Sequence, residues 1–180
     1  RVPCIMRWPN KIPANQVSSE LTTMMDLYPT ITKLTQCNIT HNNKIDGHDI
    51  SPIILGNAGA TASYDCFAFY WRENLEAIRW KNWKLHFAKK EKNGRTSSPL
   101  NALYNLKTDP GESENLYKEN PDTVQIIEEK ANRVRYDLGD KLTNTTGIGQ
   151  RLIGRVDNPQ PLTSYSKNHP YIVAAYDNAD

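Results

Sequence analysis

The sequence predicts an α/β chain whose centre, taken alone, is α+β: a four-stranded antiparallel sheet packed on one helix, with an extended tail. Four strand-like runs, "CFAFYWR", "LEAIRW", "WKLHFA" and "ALYNL", lie between residues 66 and 106, and the first three are joined by two-residue links. An apolar stripe at helical spacing follows them, through Val124, Ile127, Ala131, Val134 and Leu138. The last forty residues are far more polar and lack sustained periodicity, which predicts a compact body near residues 1–138 and an arm behind it.

Composition bounds the function classes. At 180 residues the chain is long enough for one domain with a core. A balance of 22 basic against 20 acidic residues is too even to imply nucleic-acid binding. No run of about 18 apolar residues occurs, so no membrane span is expected, and no signal peptide is recognisable. The opening "RVPCIMRWP" lacks an initiator methionine and suggests a fragment, a processed chain or a partial structure. Cys4, Cys37 and Cys66 form no Cys-x-x-Cys pair, which argues against a zinc ribbon or a thioredoxin-type site. Buried thiols with at most one disulfide are expected. Asn38 and Asn144 open glycosylation sequons.

In chain order, Val2–Pro9 is a short apolar run closed by proline and reads as a buried strand that needs neighbours on both sides. Asp26 is placed to cap a helix with Pro29 in its first turn and Leu27, Ile31 and Leu34 on one face. Asp46-Gly47 signals a tight turn, and the apolar run after it stops at Gly56. In the sheet, alternation sets Phe67, Phe69 and Trp71 against Ala68, Tyr70 and Arg72, with links at Glu73-Asn74 and Lys81-Asn82. The third link is long and basic, from Lys89 to Asn101. Asp109-Pro110-Gly111-Glu112 makes a turn whose angles Pro110 and Gly111 set, with Asp109 and Glu112 keeping it wet. Asn120 and Pro121 then start the last helix, and Gly139 ends it. "YIVAAY" is the one strand candidate in the arm.

Five of these pieces, in this order, resemble one family. "RVPCIMRWPNKIP", "SSELTTMMDLYPTITKL", "IDGHDISPIILG", "FYWRENLEAIRWKNWKLHF" and "LYNLKTDPGESENL" are similar to the C-terminal part of formylglycine-dependent sulfatases, of the arylsulfatase and N-acetylgalactosamine-6-sulfatase type. The resemblance covers residues 1 to about 156. It implies the end of an alkaline-phosphatase-like α/β body over residues 1–62, an antiparallel-sheet and helix subdomain over 63–138, and an extended arm over 139–180. It also implies a mechanism for the intact parent. A formylglycine hydrate attacks sulfur, and a calcium ion held by Asp and Asn side chains offsets the charge of the sulfate oxygens.

The nucleophile motif, Cys or Ser followed two residues on by Pro and four on by Arg, does not occur here. No cysteine has that proline, and Ser97-Ser98-Pro99-Leu100-Asn101 lacks the arginine. The resemblance places the metal ligands upstream too, so the chain alone is expected to be inactive, with no cofactor of its own. The expected partner is a missing N-terminal catalytic half of the same protein, and the substrate a sulfated small molecule or glycan. No nucleic-acid or membrane partner is expected, and the compartment would be secreted, periplasmic or lysosomal.

Three residues are candidates for substrate contact. Arg72, at the first hairpin, is either a guanidinium paired with a sulfate or sugar carboxylate, or an exposed turn arginine. His86 either faces the pocket or completes a strand. Lys89 opens a basic loop that either steers an anionic substrate or is only solvated. Asp46, His48 and Asp49 are too tightly spaced for a calcium loop and read as turn chemistry. The four tryptophans read mostly as core. The competing reading is a non-catalytic glycan-binding or interaction module. The first reading leaves the apolar segment 2–8 exposed and in need of an upstream partner. The second pairs it within the chain or with a second copy.

Overall fold

The computed structural model describes residues 2–37, 44–91, 97–155 and 157. A four-stranded antiparallel sheet runs β1 (Phe67–Trp71), β2 (Asn74–Trp80), β3 (Trp83–Lys90) and β4 (Ser97–Asn105), and its spatial order follows the chain. The helices are α1 (Leu27–Leu34), the single turn α2 (Ser51–Ile54) and α3 (Pro121–Leu138). The expected mixed architecture, with the sheet packed on the last helix, is what the chain adopts.

One face of the sheet carries the core. Leu75, Ile78, Leu85 and Leu103 are buried against Val124, Ile127 and Ala131 of α3, and Ala68, Tyr70, Trp80, Trp83, Phe87 and Val134 pack around them. Full burial of each of these large aliphatic side chains contributes roughly 1.5–3 kcal/mol. The predicted stripe holds through Val134, but Leu138 is 43% exposed. Asn120 does not cap α3, because its side-chain amide donates to the Leu116 carbonyl instead. Pro121 does occupy the first turn, and Gly139, at φ +85°, stops the helix.

The sheet differs from its sequence reading at the first hairpin, at the start of β4, and at a register shift between β3 and β4 at His86 to Ala88. The first hairpin turns at Arg72-Glu73, with Arg72 in the left-handed region, and β2 begins at Asn74. Pairing shifts register between Phe69 and Tyr70, so Glu76 is an extra residue in β2 and the simple alternation breaks there. β4 starts at Ser97, five residues before the expected run, and tolerates Pro99 because it is an edge strand.

The N-terminal region departs further. Val2–Trp8 forms no strand and lies exposed, with Val2 at 90% and Ile5 at 94%. No described strand offers it hydrogen-bond partners. Helix α1 forms, yet Ile31 on its expected apolar face is 57% exposed, and the residue it buries is Thr30, whose hydroxyl accepts the Ile50 N–H. Cys4 and Cys37 are exposed and Cys66 half-buried, all three as free thiols rather than buried ones. The tail is described only as far as residue 157, so "YIVAAY" lies outside the described residues, as does Asn38. Among the described residues, no helix is long and apolar enough to cross a membrane.

Candidate functional site

Alternation along β3 puts Lys84 and His86 on the opposite side of the sheet from Leu85 and its core. His86 is in register with Ala77 on β2 and Ala102 on β4. Those small neighbours leave room above the strands, and Glu112 fills it from the turn between β4 and α3. The Glu112 carboxylate accepts from Lys84 Nζ at 2.6 Å and contacts His86 Nε2 at 2.9 Å. The three side chains are only 16%, 17% and 28% exposed for Lys84, His86 and Glu112 respectively. Lys84 Nζ also stands 4.8 Å above the Phe69 ring, and the Tyr104 ring meets His86 edge-on at 5.6 Å. This sheet face carries a half-buried polar cluster with aromatic neighbours, on the side that α3 does not cover.

Electrostatics keep the cluster divided in charge. Burial, reinforced by the Lys84 charge, pushes the His86 imidazole below its ordinary value, against the opposing pull of Glu112. Burial alone would raise Glu112, but the hydrogen bonds and charges of Lys84 and His86 together hold it below the usual carboxylate value. At neutral pH this face therefore presents a neutral imidazole against a carboxylate that also holds Lys84.

The turn that presents Glu112 is built by Asp109, whose carboxylate accepts the backbone N–H groups of Ser113 at 2.7 Å and Glu114 at 2.9 Å. Glu112 itself sits at φ +57° and turns its side chain back over the sheet instead of into water. Of the two acidic residues expected to stay wet, only Asp109 does.

The candidates from sequence do not converge. His86 lies in the cluster with Lys84 and Glu112. Lys89 is exposed near the end of β3, in register with Ser98. Arg72 is exposed at the β1–β2 turn and lines a separate depression of about 500 Å³ with Tyr70, Lys141, Asn144, Thr146 and Gln150. Asn144 is exposed there in a left-handed turn. Lys84 and Glu112 were missed. The Lys-x-His spacing signals the first, whereas nothing local signals that the Asp-Pro-Gly turn folds back onto β3.

The Asp46, His48 and Asp49 group does not suit a calcium ion. Asp46 pairs with Arg151, Asp49 caps the Ser51 N–H at 2.8 Å, and the His48 ring packs on Tyr64 at 4.4 Å. Among the described residues no group of three or more His, Cys, Asp or Glu side chains is placed to hold a metal. No step below runs through one.

The site sits in a recognisable frame. The family model described as N-sulphoglucosamine sulphohydrolase, C-terminal, matches residues 1–138. Steryl-sulfatase of Mus musculus is 31% identical over 144 residues, covering 66% of this chain and 23% of that protein. Arylsulfatase G of Rattus norvegicus is 28% identical over 156 residues, covering 77% of this chain and 28% of that protein. The chain thus spans about a quarter of the length of these curated relatives. A solved sulfatase from Pseudoalteromonas sp. superposes with a TM-score of 0.55 at 22% identity, over 71% of this chain and 29% of that one. A protein solved in complex with its substrate D-glucosamine-2-N,6-O-disulfate does so with a TM-score of 0.53 at 19% identity, over 72% and 27%. These two likenesses show a shared fold.

Proposed function

The chain belongs to the sulfatase family as a C-terminal sulfatase domain, and from that premise we propose that it completes a longer sulfuric ester hydrolase and forms one wall of its substrate pocket. The observation that carries the pocket wall is the Lys84–Glu112–His86 cluster on the sheet face that α3 leaves open. Charged groups this well shielded are tolerated because they pair, Lys84 with Glu112 at 2.6 Å, and the polar edge that remains on this open face is suited to line a pocket.

The exposed apolar N-terminal segment supports the same reading. Val2, Ile5, Val17 and Met24 are between 80% and 98% exposed, a surface that an upstream catalytic half would bury. A self-contained module would pair segment 2–8 within the chain or with a second copy, and among the described residues no strand pairs with it. On this reading the formylglycine nucleophile and calcium ligands reside in the upstream half, and the 180 residues alone hydrolyse nothing. Exposed Lys89 supplies positive charge toward a sulfated small molecule or glycan. The enzyme would work in a secreted, periplasmic or lysosomal compartment, where Asn38 and Asn144 are open to glycosylation.

The test pairs an intact-mass measurement on the natural protein with a sulfate-release assay on 4-nitrocatechol sulfate. The natural protein is expected to be well above 20.5 kDa and active, the 180-residue chain inert. His86→Ala in the longer protein raises KM about tenfold, the loss of one good polar contact. Sulfate release by the short chain, or a longer protein without activity, overturns the proposal.

A further inference from the structure

We propose that Glu112 is a positioning residue for His86, fixing its imidazole as the Nε2–H tautomer so that Nδ1 accepts a hydrogen bond from a hydroxyl of the substrate. The inference rests on the pocket-wall reading and narrows the substrate class to sulfate esters that carry a free hydroxyl near the sulfated position, as in a sugar or a catechol.

An ionised carboxylate only accepts hydrogen bonds. The 2.9 Å contact between Glu112 Oε2 and His86 Nε2 therefore places the proton of a neutral imidazole on Nε2. Lys84 holds the second carboxylate oxygen at 2.6 Å, so Glu112 cannot swing away without breaking two contacts. The Tyr104 ring, edge-on at 5.6 Å, limits rotation of the imidazole from the β4 side. Ala77 and Ala102, both 1% exposed, close the floor on either side. Among the described residues, the charged or titratable groups around the ring are Lys84 on β3, Glu76 on β2, Tyr104 on β4 and Glu112 on the turn. Of these, Glu112 alone has a hydrogen bond with the ring.

The result is a division of labour. Lys84 and Glu112 balance each other's charge at 2.6 Å, while His86 reads a neutral hydroxyl. A protonated His86 would lose its acceptor nitrogen, so acid should weaken hydroxyl recognition before it weakens sulfate binding.

Two measurements test this. Two-bond 1H–15N correlation spectra of the chain at pH 7.5 report the His86 tautomer directly. The Nε2–H form is expected in the unsubstituted protein, and a shift toward Nδ1–H in Glu112→Gln. An Nδ1–H form in the unsubstituted protein overturns the proposal even if the variant does not fold.

In the longer protein, KM is compared for 4-nitrocatechol sulfate and for 4-nitrophenyl sulfate, which lacks the hydroxyl. Glu112→Gln should raise KM about tenfold for the first only, leave kcat within about twofold, and move the acid limb of its pH profile. Glu112→Asp should restore part of the difference. Equal changes for both substrates overturn the hydroxyl contact. If His86→Ala changes neither KM while the tautomer result stands, the pocket-wall reading fails and the positioning geometry does not.

Discussion

The buried carboxylate of Asp140 accepts the backbone N–H of Leu75 at 3.1 Å, fastening the second residue after α3 to the start of β2. The same side chain accepts from Arg135 Nε at 3.0 Å and from the Leu142 N–H at 3.1 Å. Removing one partner of a buried pair strands the other. Asp140→Ala should therefore destabilise the chain by about 3 kcal/mol. The exposed Lys141–Glu73 pair offers the control, since Lys141→Ala should cost less than about 1 kcal/mol. Urea denaturation midpoints compare the two, and equal shifts would contradict the role given to Asp140.

Alkaline stability is set by two tyrosines. Burial and the hydrogen bond to Asp26 push Tyr64 up to about 12, and burial and the Asp140 charge do the same for Tyr70. A raised value means that the folded state keeps its proton longer than the unfolded chain. The contribution is complete below the ordinary tyrosine value of 10.0 and is lost as pH climbs from 10.0 toward 12. Tyrosinate absorbance and circular dichroism should change together in that window. Tyr70→Phe, which forfeits the 2.7 Å bond to the Gly139 carbonyl, should remove part of the pH dependence.

Acid acts on the opposite sheet face. His86 lies below its ordinary 6.5, so the unfolded chain takes up that proton first, and stability falls as pH drops below 6.5. Glu112 lies below its ordinary 4.5, and its contribution is present above 4.5 and lost as pH falls through its folded value. Two successive losses are expected. Glu112→Gln should abolish the lower one, as read from thermal midpoints between pH 7.5 and 3.

Thiol reactivity should separate the three cysteines. Burial and the neighbouring Asp65 charge raise Cys66 above 9.0, which lowers its thiolate fraction. Iodoacetamide at pH 8 should label exposed Cys4 and Cys37 first and Cys66 slowest, followed by mass spectrometry. In the longer protein Cys4 should become slow, because the segment that carries it would be covered. A Cys4 equally reactive in both would remove the support that this segment gives to an upstream partner.

Legibility from sequence followed locality. β1 to β3 and α3 were readable because two-residue links and a 3.6-residue stripe are properties of short windows. The N-terminal strand was not, since its apolar pattern presumes neighbours that the described residues do not contain. Asp26 shows the same limit at one residue. It was read as a cap for α1, yet its carboxylate accepts the Thr23 and His48 N–H groups at 2.6 and 2.8 Å and the Tyr64 hydroxyl at 2.6 Å. Three donors from three places in the chain cannot be inferred from one cap position. Gly47 reflects that packing: no tight turn forms there, and a methyl would overlap the Met25 carbonyl. His86 was found because it lies in a run that reads as a strand, and Glu112 was missed because its backbone turns left-handed.

The sheet's neighbour order, identical to chain order, bears on how the molecule is made. Every strand pair joins segments adjacent in sequence, so loop closure is cheap and the meander can zip up progressively. Contact order in this region is low for a β structure. The sheet is thus suited to form early and to wait, assembled, for slower long-range docking by other parts of the polypeptide.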